Sequence, residues 1–156
     1  MLHLLKSMRF FPLFITQLLG AFNDNLFKNA LIVFITYHLT ANPQFSDGLV
    51  SFSTFLFILP FFLFSATAGK LADNLDKSKL IQYTKTVEVM AMSMAYIGFV
   101  FSSLTVLLLT LFILGSHSAF FGPAKYAILP EQLEKEELIS ANALIESSTF
   151  VSILLG

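Results

Sequence analysis

Five apolar stretches, at 10–40, 49–68, 80–103, 105–126 and 138–156, follow one another along the chain with only short polar separators between them. The separators are Asn42-Pro43-Gln44, the charged run from Lys70 to Lys79, the pair Ser102-Ser103, and Pro130-Glu131-Gln132 through Glu137. A helix needs about 20 mostly apolar residues to cross a bilayer, so five such spans leave no room for an aqueous domain. Lipid leaves no backbone polar group unpaired, and none of the five stretches alternates with the two-residue period of a barrel strand. The expected fold class is therefore all-α, a polytopic transmembrane helix bundle of about five helices. Composition agrees, with 56% hydrophobic and 12% charged residues in 156, against ~45–50% and ~25% in a soluble domain. A net charge of −1 provides no basic field for nucleic acid. There is no Cys for a disulfide or thiolate site, and His3, His38 and His117 are too scattered to form a ligand motif. Neither metal nor cofactor is expected.

Lys and Arg placement sets an orientation. Lys6 and Arg9 precede the first span, Lys70, Lys77, Lys79 and Lys85 cluster after the second, and Lys125 and Lys135 follow the fourth. The positive-inside rule then puts the N-terminus, the 2–3 connection and the 4–5 connection in the cytoplasm, with only Lys28 against the pattern. Lys6 and Arg9 before an apolar run also resemble a signal peptide, but no A-x-A cleavage site follows and apolar character resumes at Leu26, which favours a retained first helix. The fifth span runs into Gly156 without a flanking charge. Transporters are built from repeated blocks of helices, so the native product is expected to be longer.

Within the first span, Asn23-Asp24-Asn25 and Lys28-Asn29 interrupt the apolar run. A central Asp or Lys costs ~2.5–3.5 kcal/mol each on insertion, which the surrounding Phe, Leu, Ile and Val offset at ~0.3–0.6 kcal/mol apiece. At 100° per residue, Gln17, Asp24 and Lys28 lie within about 40° of one another, with Gly20 beside them. This stripe is either a substrate or ion site, or an Asp24 and Lys28 pair that neutralises itself and fixes packing. Lys85 and Glu88, spaced i,i+3, favour a structural pair near the cytoplasm. Asn142, Glu146 and Thr149 share a face of the fifth span, suited equally to helix–helix hydrogen bonding or to lining a cavity. His117 lies mid-span between Ser116 and Ser118, but neighbouring side chains on a helix point ~100° apart and Gly115-Ser116-His117-Ser118-Ala119 is not G-x-S-x-G. A neutral His117 bonded to another helix or lining a cavity is expected.

Two polar segments stand out. After span two comes Gly69-Lys70-Leu71-Ala72-Asp73-Asn74-Leu75-Asp76-Lys77-Ser78-Lys79. It is expected as a loop in which Gly69 allows tight packing, Asp73 caps or faces a helix N-terminus, and Lys77 and Lys79 bond helix C-terminal carbonyls or lipid phosphates. Span four ends on Phe121-Gly122-Pro123-Ala124-Lys125-Tyr126-Ala127-Ile128-Leu129-Pro130, where Gly122 permits close backbone approach and Pro123 removes a helix hydrogen bond.

The Gly69 to Lys79 segment resembles the cytoplasmic 2–3 signature of the major facilitator superfamily, G-x-L-A-D-R-x-G-R-(R/K). Gly69, Leu71, Ala72, Asp73 and basic Lys77 are in register, whereas Asn74 stands where a base is usual and Asp76 where Gly is. Three further blocks resemble the bacterial lysophospholipid transporters of that superfamily. Ala21-Phe22-Asn23-Asp24-Asn25 is similar to their A-F-x-D-N, Gly122 to Leu129 to S/G-P-A/V-K-Y-x-I-L, and Ala141 to Gly156 to A-N-x-L-x-E-x-(S/G)-T…I-L-L-G. The resemblance implies the N-terminal part of a twelve-helix transporter in the bacterial inner membrane. Such a transporter moves lysophospholipid, chiefly the ethanolamine type, to the inner leaflet for reacylation. Asp24 and Lys125 would be headgroup contacts, with Lys28, Asn25, Gln17, His117 and Glu146 as further candidate substrate-binding residues. Gly69, Asp73, Lys77 and Lys79 would be conformational. Implied partners are lysophospholipid, membrane lipids, the remaining helices of the transporter and a fused or associated acyltransferase.

The competing readings are a small-solute or drug transporter of the same superfamily and an acyltransferase enzyme. The acyltransferase signature H-x-x-x-x-D is absent, since Met8, Pro43 and Gly122 stand five residues after the three His. The orientation is testable in this Cys-free chain with a membrane-impermeant maleimide on intact cells. Gln44→Cys is expected to label and Lys77→Cys to be protected; the reverse pattern contradicts the assignment.

Overall fold

The computed structural model describes residues 3–39 and 43–156, and every regular element among them is helical. A 3-10 turn at Leu4–Lys6 precedes α1 (Phe11–Phe34), which runs on into a π-helical segment, Ile35–Leu39. Then come α2 (Pro43–Asn74), α3 (Lys77–Val100), α4 (Leu104–Gln132) and α5 (Leu138–Leu155). The all-α architecture is as expected. Asn42, part of the first separator, lies outside the described residues.

Among the described residues, four helical stretches, Phe11–His38, Pro43–Asn74, Leu104–Gln132 and Leu138–Leu155, are long and apolar enough to cross a membrane. The remaining expected stretch, 80–103, falls largely in the fifth helix, α3. At 24 residues α3 is long enough, but Gln82, Lys85, Thr86 and Glu88 fill its first half with polar groups. Two apolar boundaries also shift. α2 starts at Pro43 rather than 49 and continues to Asn74, and α4 passes through Pro123 and Pro130 to Gln132. Hydropathy marks the lipid slab, while helical hydrogen bonding continues wherever propensity allows. The 32 residues of α2 span about 48 Å at 1.5 Å each, well beyond a hydrocarbon core of about 30 Å. Pro43 opens α2 because the first helical position has no N–H bond to lose. Pro60 and Pro123 are tolerated inside helices as they often are in membranes.

The chain forms two compact units, Met1–Asn29 with Lys125–Gly156, and Ala30–Ala124. In the first, α5 is bonded to α1 at three levels. Gln17 Nε2 donates to Thr149 Oγ1, Ser152 Oγ to the Leu18 carbonyl, and Asn29 Nδ2 to the Gly156 carbonyl, each at 2.8 Å. Thr149, Ser152 and Gly156 are three and four residues apart and so share one face. Gly156 permits the closest approach, since a Cβ there would lie 2.8 Å from the Phe22 carbonyl oxygen. The N-terminal segment is tied to the α4–α5 connection, with His3 Nε2 3.2 Å from Glu137 Oε1 and the Arg9 guanidinium 3.8 Å from Oε2. The Glu134 amide donating to its carboxylate, then His3 and Arg9, hold the Glu137 carboxyl below its ordinary range.

In the second unit α2 and α4 approach at Gly115, where a Cβ would meet the Phe57 carbonyl oxygen at 2.4 Å and the Pro60 ring at 3.2 Å. Phe64 and Phe120 stack between the same helices, with centroids 5.7 Å apart. The connection from α3 to α4 is short because α3 closes with a Schellman-type cap: Ser103 N–H donates to the Gly98 carbonyl at 2.8 Å and Ser102 takes φ +50°. By contrast, a Cβ at Gly69 or Gly122 meets nothing within 4 Å, which corrects the close packing expected at both. Gly115→Ala is therefore expected to destabilise by about 1–3 kcal/mol through overpacking, while Gly69→Ala gains up to ~1 kcal/mol of helix propensity. Unfolding in detergent followed by circular dichroism checks this, and equal stability of the two variants contradicts it.

Candidate functional site

In the first unit, α1 carries Gln17 and Asp24 on its buried side, 5% and 9% exposed. Lys28 lies one turn beyond Asp24, and the two opposite charges interact. Asn25 turns its Nδ2 back to the Ala21 carbonyl at 2.7 Å, a bond within its own helix. Gln17 already gives its amide to Thr149, so the stripe divides. Gln17 joins α1 to α5, and the charged part is Asp24 with Lys28.

The same unit contains Lys125 on α4 and Glu146 on α5. Lys125 Nζ lies 4.8 Å from the centroid of the Tyr126 ring, and the Tyr126 hydroxyl donates to Glu146 Oε1. A cation on an aromatic face, followed by a phenol bonded to a carboxylate, orders the Lys125 side chain. The sequence pattern gives Tyr126 no partner. What links it to Glu146 is the turn from α4 into α5, invisible to hydropathy. Chemically, one unit thus holds a buried carboxylate and two lysines, suited to a ligand bearing an ammonium and a phosphate.

In the second unit, His117 joins Lys85 and Glu88. Glu88 Oε2 accepts from Lys85 Nζ at 2.6 Å and lies 3.3 Å from His117 Nε2. Lys85 Nζ also sits 4.4 Å from the Phe121 centroid, on which His117 stacks. Spacing revealed the lysine and glutamate, but not that His117 faces them from another helix.

The segment expected as a loop is mostly helical. Gly69 to Asn74 form the end of α2, where Leu75 N–H still bonds the Leu71 carbonyl at 2.9 Å. Asp73 is exposed in that last turn, the end of a helix macrodipole that favours cations. The cap of α3 is instead Asp76, whose Oδ1 accepts from the Lys79 N–H at 3.1 Å. This corrects the capping expected of Asp73. Lys77 opens α3 and Lys79 is exposed.

A double-mutant cycle on Gln17→Ala and Thr149→Ala is expected to give a coupling near the ~0.6 kcal/mol average of interhelical bonds in membranes, with ~1.7 as an upper bound. Additive losses in detergent unfolding contradict that pairing.

Comparison with known proteins adds to this geometry. Lysophospholipid transporter LplT of Enterobacter sp. (strain 638) is 30% identical over 141 residues, covering 90% of this chain and 32% of that protein. The proteins of the same name from Citrobacter koseri and Escherichia fergusonii are 29% and 28% identical over 141 and 143 residues, covering 90% and 91% of this chain and 32% and 33% of theirs. The chain thus spans about a third of the length of these relatives. No solved structure gives a significant match. The transmembrane secretion effector family model matches residues 8–153, nearly the whole chain, and with its apolar helices the chain belongs to that family of MFS-type membrane transporters.

Proposed function

We propose that this chain is the N-terminal part of a lysophospholipid flippase of the bacterial inner membrane, with its N-terminus in the cytoplasm. It would move a lysophosphatidylethanolamine-like lipid to the inner leaflet for reacylation. The observation that carries the reading is Asp24, a carboxylate 9% exposed in the middle of an apolar helix with Lys28 one turn away. Intramembrane ionisable groups are expensive and usually functional. The names of the relatives point to the lipid class.

The headgroup chemistry assigns the roles. Drawn into a low-dielectric cavity, an ethanolamine phosphate needs a carboxylate for its ammonium and a cation for its phosphate. Asp24 supplies the first. Lys125 supplies the second, since the resemblance marks it, it lies on the Tyr126 face, and Lys28 already interacts with Asp24. Lys28 keeps Asp24 ionised until the substrate ammonium arrives. Asn25 and Glu146 stand beside the two charged positions, and Gln17 holds α1 against α5. Gly69, Asp73, Lys77 and Lys79 act at the junction of α2 and α3, as a conformational element. An acyltransferase, fused or associated, would consume the lipid delivered.

In proteoliposomes of the full-length protein, Asp24→Asn is expected to reduce flipping of the ethanolamine lysolipid at least tenfold. Lys125→Ala is expected to weaken binding of every phosphate-bearing lysolipid, with Lys125→Arg restoring it only in part because a planar fork is not a point charge. In the same assay Asp73→Asn slows flipping and leaves lysolipid affinity unchanged. Parental flipping rates in both Asp24→Asn and Lys125→Ala contradict the proposal, and transport of a small amphiphile in place of lysolipid favours a drug transporter.

A further inference from the structure

Glu88 lies at the middle of α3 and His117 at the middle of α4, each far from a helix end. The side chains of Glu88 and His117 are 10% and 3% exposed, and that of Lys85 is 22% exposed. Three ionisable groups meeting at one carboxylate oxygen are more than packing requires, because an ion pair alone would already be neutral. Replacing such a buried pair by apolar groups is often neutral or stabilising. With Lys85 charged and Glu88 ionised, the cluster is balanced, and His117 is a site of variable charge beside it.

We propose that Lys85, Glu88 and His117 form a buried proton-binding site, in which His117 reversibly takes up one proton and Glu88 divides its charge between the imidazolium and the ammonium. In the neutral state His117 Nε2 carries the proton and lies 3.3 Å from Glu88 Oε2, and Nδ1 accepts from the Ser118 hydroxyl 3.5 Å away. The proton arrives from water onto the Nδ1 lone pair, no bond breaks, and the Ser118 hydroxyl rotates from donor to acceptor. Phe121 lies beneath both cations, stacked on His117 at a centroid distance of 5.9 Å and 4.4 Å from Lys85 Nζ. Its π-face favours the doubly cationic state. A metal cation is a poor rival, because the Lys85 ammonium already occupies Glu88 at 2.6 Å. Among the described residues of this unit, the other ionisable groups of α3, Lys77, Lys79, Tyr83 and Tyr96, lie toward its ends, and α4 up to Ala124 has none but His117. α2 has none between Asp47 and Lys70, and the unit's portion of α1 has only Tyr37 and His38, at the helix end. The proposal does not rest on the transported substrate.

The test is a pH titration of the full chain in lipid nanodiscs, labelled with 15N-histidine and followed by ring-nitrogen NMR, with His117→Gln assigning the signals among the three histidines. The expected result is reversible conversion of His117 from the Nε2–H tautomer to imidazolium. Glu88→Gln is expected to lower the proton affinity of His117 roughly tenfold, the size a charge this close produces, and Lys85→Gln to raise it. These opposite signs separate a charge-coupled site from simple loosening of the fold, which moves both variants the same way. The double variant Lys85→Gln with Glu88→Gln keeps the net charge and is expected to fall between them. A His117 that stays neutral throughout, or shifts of one sign in both single variants, overturns the proposal.

Discussion

Lipid offers no hydrogen-bond partner, and every polar group inside these helices must be answered by the chain itself. This constraint orders the molecule. It makes every described element helical, and it turns the polar residues of α1 and α5 into the joints of the first unit, where Gln17, Ser152 and Asn29 each bond across to the facing helix. In the second unit the same demand gathers Lys85 and His117 around Glu88. Where no polar bond is made, close approach takes over, as at Gly115 against the Phe57 carbonyl. Dispersion at such contacts matters more in lipid than in water, because there is no hydrophobic drive between helices.

The polar groups differ in the kind of partner the chain gives them. Gln17 and Asn25 are tied to a neighbouring helix and to their own backbone. Asp24 and Lys28 answer each other electrostatically, and Lys125 rests on an aromatic ring. A carboxylate and an ammonium can exchange one ionic partner for another without being left bare, which a zwitterionic ligand permits. The proposed headgroup role for Asp24 and Lys125 draws on that exchange, and Gln17 and Asn25 are assigned to packing.

The helical class and the existence of each element were legible because apolar runs of this length have one solution in lipid. Helix ends were not. Residues 49–68 marked the apolar part of α2, yet its hydrogen bonds continue to Asn74, placing Asp73 in a last turn and leaving the capping to Asp76. Pro123 suggested a break that α4 does not make. α3 reads as a span from the apolar residues of its second half, while Gln82, Lys85, Thr86 and Glu88 make its first half polar. The i,i+3 and i,i+4 pairs were readable because they are local. The partners of Tyr126 and His117 were not, since they come from helices whose rotation about their axes is set by packing and leaves no trace in a single stretch of sequence.

The central proposal is that the charged part of the α1 stripe, Asp24 with Lys28, lines the space that receives the lysolipid headgroup. Cysteine substitution at each position along α1 from Gln17 to Leu31 in the full-length protein, probed with a small charged thiosulfonate in the presence and absence of lysophosphatidylethanolamine, tests it most directly. Reactivity is predicted to recur with the helical period, to centre on Asp24 and Lys28, and to fall when the lysolipid is added. Uniformly low reactivity, or a reactive face opposite Asp24 that the lysolipid does not protect, would contradict the account.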